Sequence, residues 1–162
     1  MISDEINNQI QDTLTHKKLV IDSGYKMCNY LFKKNKDKLA FELLNRIIVH
    51  DNSKFTHDEL YGLSSIRNRK ALMNPDVLLS KEQQKIVEIH WKNNRHHPEY
   101  FKNIENMTDV DIMEMCCDWH ARSIQYGTDL MEFVNIRQEN RFHFPEHIFK
   151  KILIYCNILL EK

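Results

Sequence analysis

Arg46-Ile47-Ile48-Val49-His50-Asp51-Asn52-Ser53-Lys54-Phe55 begins as the end of an apolar helix and finishes as a run of polar groups. Ala40, Leu43, Leu44 and Ile47 recur at steps of three and four, one helical face, and predict a helix over about Leu39–His50 with that face inward. The same steps, continued from Ile47, reach His50 and Asp51. A helix that drives into a core and ends on an imidazole beside a carboxylate buries two polar groups. That costs desolvation free energy unless something such as a cation compensates. The milder alternative is a histidine favoured at a helix C-terminus by the macrodipole, with Asp51 as a turn residue. It accounts for this pair but not for the histidines on either side of it.

Upstream, His16, Val20, Gly24, Met27 and Leu31 lie on one stripe of a helix expected over about Asp4–Phe32, so His16 points inward. Gly24 on that stripe predicts close approach of another backbone. Lys33, Lys34, Lys36 and Lys38 read as a solvated loop between these two helices. Downstream, Thr56-His57-Asp58-Glu59 reads as a capping box opening a short helix over about His57–Leu63, which assigns Glu59 to capping and not to catalysis. Residues 64–79, containing Pro75, read as a partly irregular crossing. Ser80-Lys81-Glu82-Gln83 is a second capping box, opening a helix through about Arg95. Pro98 restricts His97, so that helix ends near His96. Thr108–Asp111 caps a helix to about Tyr126, stopped by Gly127. Thr128 starts another to about Asn140, and Pro145 opens the last, through about Leu160.

The prediction is therefore an all-α bundle of six or seven helices, one domain over residues 1–162. Three glycines and three prolines in 162 residues support it, because hairpin turns lean on glycine. Lys plus Arg and Asp plus Glu are 23 each, so there is no electrostatic case for a nucleic-acid groove or an anionic membrane surface. No apolar run has the length of a membrane span, and Met1–Asp12 has no signal-peptide pattern, so a cytoplasmic, reduced protein is expected. Of the four cysteines, none is spaced CxxC. Cys116 and Cys117 read as small buried hydrophobes.

The candidate site residues follow the same face arguments. His90, Asn94 and His97 are spaced by four and three, hence on one face if that helix persists, beside Trp91 and with His96 adjacent. A polar helix terminus with His96 and His97 in solvent fits the spacing too. Asp111, Glu114, Asp118 and Arg122 form one polar stripe on an otherwise apolar helix, either a solvent face or the wall of a site. Lys54, three residues past Asp51, is placed to meet a substrate phosphate as a point charge. His57, His120, His143 and His147 have no helical relation to the set and read as surface or packing residues. Phe133, Phe142, Phe144, Phe149 and Tyr155 read as core. Mixed imidazole and carboxylate donors suit Fe, Mn, Co or Zn.

In order, His16, His50-Asp51 and Asp118 resemble the HD superfamily of metal-dependent phosphohydrolases: a histidine on an early helix, an adjacent His-Asp pair and a distal aspartate on an all-α scaffold. The resemblance implies a divalent transition ion on these four residues. It implies a second ion where His90 with His96, His97 or both supply further ligands. The run HDNSK looks like the HDxxK form, which passes a phosphate contact to Lys54 and makes Asp51 and Lys54 catalytic. One departure is that His90 and His96-His97 are closer in sequence than in two-metal HD enzymes. More narrowly, HDNSKF, HWKNNRHHPEYF and MEMCCDWHA are similar to an uncharacterised family of small bacterial and phage proteins, over about residues 13 to 127. The expectation is hydrolysis of a phosphoester, a nucleotide or related small molecule, with Asn94 and Arg122 orienting it. Two rivals use the same ligands: an oxygen-dependent di-iron enzyme with four histidines and two aspartates, and a non-catalytic accessory protein stapled by metal.

Overall fold

Each long apolar stripe in the chain closes into a helix with its own start and stop signals. The computed structural model describes residues 2–72 and 79–161. Its helices are α1 (Asp4–Lys33), α2 (Asp37–Val49), α3 (His57–Leu72), α4 (Lys81–Asn93), α5 (Asp109–Tyr126), α6 (Leu130–Arg137) and α7 (Glu146–Leu160). The fold is all-α, as expected, with seven α-helices and no strand among the described residues. Short 3-10 turns occupy Asn52–Phe55, Pro98–Tyr100 and Ile104–Asn106, and a π-helical turn follows α6 over Gln138–Phe142.

Caps fix several boundaries. Ser80 and Gln83 form a reciprocal capping box at α4, and Thr108 and Asp111 form one at α5. Gly127 ends α5 in the left-handed region at φ 64°, which glycine adopts without a Cβ clash. Three expectations are corrected. The α3 helix runs to Leu72, well beyond Leu63, while residues 73–78, with Pro75, lie outside the described residues. The α4 helix stops at Asn93, and Asn94 is already extended, so His96 and His97 do not continue its face. At α3, Thr56 does not share a box with Glu59: its hydroxyl donates to the Ser53 carbonyl, and the Glu59 carboxylate points elsewhere.

The central element is α5, which packs against α1, α2, α6 and α7. Every residue from Asp111 to Trp119 is buried. Val20, Met27 and Leu31 of α1, Leu43 and Ile47 of α2, Ile112 and Met113 of α5 and Ile152 of α7 share one core. Gly24 sits where α1 meets α2, but it is the Ile47 side chain, not a backbone, that fills the space: an added Cβ would lie 2.7 Å from it. All four cysteines are free and buried in this core. This packing brings the middle of α1, the end of α2 and the middle of α5 to one point, beside the end of α4 and the turn after it.

Candidate metal centre

The His50-Asp51 pair is presented by a sharp break in the chain. His50 leaves the helix at ψ 129°, and Asp51 adopts a left-handed conformation at φ 56°. Aspartate tolerates that region better than most residues, yet holding it there takes support from the surroundings. Lys17 provides some: its ammonium donates to the carbonyls of Ile48 and His50 and to Asn52 Oδ1, capping the end of α2 with a positive charge.

Around Asp51 the imidazoles close in. His50 Nε2 lies 3.5 Å from Asp51 Oδ2 and 3.8 Å from Asp118 Oδ1. His90 Nε2 and His96 Nε2 lie 3.5 Å and 3.6 Å from Asp51 Oδ1. His97 Nε2 is 3.0 Å from His90 Nε2, and His16 Nε2 is 2.7 Å from Asp118 Oδ1. Most of the separations among these imidazole and aspartate atoms are too long for good hydrogen bonds. They lie at or slightly beyond the roughly 3.0–3.5 Å at which donors stand when they share an ion at about 2.1 Å per bond. His50 Nε2, His96 Nε2, Asp51 Oδ1 and His16 Nδ1 are buried with no hydrogen-bond partner. Buried polar atoms left so are rare, and several aimed at one spot ask for a cation. The donors divide into one group of His16, His50 and Asp51, with Asp118 alongside, and another of Asp51, His90, His96 and His97. Asp51 belongs to both.

The far sides of the rings explain why the Nε2 atoms face inward. His50 Nδ1 meets Glu114 Oε1 at 3.0 Å, with His96 Nδ1 at 3.4 Å from the same oxygen. His90 Nδ1 meets Glu59 Oε2 at 2.8 Å. An ionised carboxylate only accepts, so Nδ1 carries the proton and Nε2 is left as the lone-pair donor. Glu59 is fully buried, and also accepts from Ser53 and Asn93. Glu114 is held in turn by Arg46, whose other arm donates to Asp111. Arg95 donates to the same Asp111 through two bonds. A third grouping of His50, His96 and Glu114 has the spacing of a metal site. With Glu114 on the Nδ1 side, we read it as the brace of the two rings.

The electrostatics are those of a site built for positive charge. Burial disfavours the His50 imidazolium, but Asp51, Asp118 and Glu114 outweigh it and raise its pKa to about 9. Burial likewise raises Asp51 and Asp118, yet Lys54 and the imidazoles around Asp51, and His16 and His50 beside Asp118, hold both well below the usual range. Glu114, against its burial, falls to about 2 through its bonds to His50 and His96. His97 is pushed down to about 2 by burial and then by His96 and His90, and burial also lowers His16. Those two rings favour the neutral form that ligates metal.

All seven sequence-derived ligand candidates, His16, His50, Asp51, His90, His96, His97 and Asp118, meet here. Lys54 is buried with its ammonium on Asp51 Oδ2. Asn94 donates to Ser53 Oγ and to the His90 carbonyl, bracing the turn, and lines a recess of about 350 Å³ with Arg46 and Arg95. Arg122 lies on another side, in a pocket of about 520 Å³ that touches the cluster at Asp118 and His97. Phe133 and Phe142 line that pocket, half-buried, whereas Phe144 is core. His57 and His147 are exposed; His120 bonds Ser23. Glu59, Glu114 and Lys17 were missed. Glu114 had a signal, as part of the stripe that proves to be a site wall.

A family model described as a family of unknown function, DUF5662, matches residues 5–153. The chain belongs to DUF5662. Comparison with curated proteins and with solved structures gives no match. The matched span of the DUF5662 member includes every residue of the cluster and both braces. Among the described residues no helix is long and apolar enough to cross a membrane.

Proposed function

We propose that this protein is a metal-dependent phosphohydrolase of the HD type, acting on a phosphoester of a nucleotide or related small molecule. The observation that carries the reading is the convergence of unpartnered imidazole nitrogens and an Asp51 oxygen from α1, the end of α2 and the turn after α4 on one buried point, with Asp118 of α5 alongside. His16, His50, Asp51 and Asp118 would hold one divalent transition ion, and Asp51, His90, His96 and His97 a second. Such ions supply Lewis acidity, acidifying water toward neutral pH and drawing charge from phosphoryl oxygens.

The chain's own groups do the rest. Glu114 and Glu59 hold the imidazoles in the ligating tautomer, so no proton has to be displaced from Nδ1. Lys54 neutralises Asp51 and brings a positive charge to the edge of the cluster, where the phosphoryl oxygens gather charge in the transition state. Arg122, one helical turn beyond Asp118, orients the substrate from the pocket. Four histidines and two aspartates, counted as His16, His50, Asp51, His90, one of His96 and His97, and Asp118, support a second reading, an oxygen-dependent di-iron enzyme. Metal analysis of the purified protein, with phosphate release from a nucleotide panel, tests the first. His50→Ala is expected to lose metal and to cut phosphate release by about 10³-fold, a loss of the size seen when transition-state electrostatics are removed. Metal loss without loss of activity would sink the proposal. Bound iron with oxygen uptake and no phosphate release would favour the second reading.

A further inference from the structure

Beside the cluster, the pocket of about 520 Å³ is lined by three arginines, Arg122, Arg137 and Arg141, against two acids, Glu99 and Asp118. Neither acid neutralises the set. Asp118 is turned to His16 and His50, and Glu99 pairs with Arg141 alone. Arg122 donates to neutral partners, Gln125 Oε1 at 3.1 Å and Tyr126 Oη at 3.4 Å. Among the described residues Arg137 has no carboxylate within ion-pair distance. Two guanidiniums thus face a concave space with their charge unanswered.

They are also held in place. The Arg137 guanidinium lies 4.8 Å from the Phe133 ring centre, and Arg141 lies 4.9 Å from Phe142 and 5.2 Å from Trp91. Stacking on aromatic faces fixes a guanidinium plane and leaves its N–H edge free to donate. Arg141 is set at this position by an uncommon backbone. The π turn closes with His143 N–H on the Gln138 carbonyl, and the Gln138 side chain ties both the N–H and the carbonyl of Phe144. His143 leaves the turn at φ 46°. Single π turns are rare and concentrate at functional sites. Burial, and then the charge of Arg141, lowers the pKa of Arg137, and Glu99 only partly offsets them.

We propose that this pocket binds a second phosphoryl group of the substrate, distinct from the one presented to the donor cluster, through Arg122, Arg137 and Arg141. The word substrate rests on the phosphohydrolase reading; the anion site does not. The planar fork of arginine matches phosphoryl oxygens two at a time, and the volume suits a molecule of nucleotide size. The substrate class is then a phosphoester with a second phosphate further along, such as a nucleotide phosphorylated at two positions, rather than a simple monophosphate.

The chain has two tryptophans, Trp91 and Trp119, and both line this pocket, so intrinsic fluorescence reports on it directly. The protein as purified is titrated with inorganic pyrophosphate at constant ionic strength, in parallel with Arg137→Gln, Arg141→Gln and His50→Ala. The expected result is a saturable change whose Kd weakens about tenfold or more in each arginine variant, the loss of a charge-assisted bidentate contact. His50→Ala keeps an affinity near that of the unaltered chain, which separates this site from the metal cluster. Arg137→Lys, which keeps charge but loses the fork, falls between. No saturable change, equal affinity in the arginine variants, or loss in His50→Ala alone overturns the proposal. Succinate binding as tightly as pyrophosphate overturns it too, by making the site one for carboxylates. An absence of phosphohydrolase activity with this pattern intact would refute the enzyme reading and leave the anion site standing.

Discussion

Helix α5 is buried on two sides, and the two sides are held by opposite means. On one, Ile112, Met113 and Cys116 join Ile148, Ile152 and Cys156 of α7 in an apolar core. On the other, Asp111, Glu114 and Asp118 are buried against the arginines and histidines of α2, α1 and the turn after α4. The apolar side is stable by itself, since each contact removes hydrocarbon from water. The polar side is not: every buried charge there must be answered, or its desolvation destabilises the fold. The lesson is that the first side serves stability, while the second gathers groups that could hold a cation. Changes on the two sides should therefore be read out by different measurements.

The largest effect on stability is expected from the apolar side. Ile152 is fully buried, and Ile152→Ala leaves a cavity among well-packed neighbours. It should cost about 2–5 kcal/mol in urea unfolding. Metal content per folded molecule should stay unchanged, because no ligand moves. A loss of metal at full folding would break the comparison, by showing that the two sides share one rigid body.

Glu114→Gln gives the reverse pattern. The amide still fills the space, but it no longer offers two acceptor oxygens to His50 Nδ1, His96 Nδ1 and Arg46. Ring orientation and basicity both suffer, and metal affinity should fall about 10–100-fold by competition titration. Stability of the chelated protein should move less than in Ile152→Ala. If affinity is unchanged while unfolding shifts by as much as for Ile152→Ala, Glu114 is packing and not a brace. In the unloaded protein at neutral pH, His50 holds the extra proton that its pKa of about 9 implies. Metal binding there displaces it, so loading should release protons, measurable as a buffer-dependent heat.

This contrast also shows why the two halves were unequally legible. The apolar stripes of α1, α2 and α5 carry their period in the residues themselves, so the helical class and the inward aim of His16 could be read directly. The caps Ser80/Gln83 and Thr108/Asp111 act within four residues and were legible for the same reason. Glu59 was not: it has the spacing of a capping acid, but its oxygens go to Ser53, His90 and Asn93. The gain from pairing with a buried imidazole 31 residues away outweighs a local N–H bond, and no local pattern encodes that. His97 was placed on a helical face and reaches the site instead through the extended Asn94 and the turn before Pro98. The stripe Asp111-Glu114-Asp118-Arg122 showed that these residues share a face, while what that face meets is decided by α2 and the α4 turn.

Asp111 sharpens the comparison with the smallest effect, because it belongs to the polar side yet touches no ligand of the proposed ion. It caps α5 through Thr108 and accepts from Arg95 and Arg46. Burial raises its pKa, but Arg95, Thr108 and Arg46 outweigh that and hold it below the ordinary value. A carboxyl depressed on folding stabilises the native state above its unfolded pKa of about 3.9, and that contribution is lost as pH falls through the lower folded value. Asp111→Asn should therefore cost about 1.5 kcal/mol at pH 7, on the scale of hydrogen bonds to a charged group. The cost should stay flat from pH 7 to about pH 5 and shrink below about pH 3.9, as the native carboxyl itself protonates. Paired urea titrations of the two proteins across that range read the difference directly. A cost that persists undiminished at the acid end would mean that the amide fails as a cap by shape, with charge playing no part.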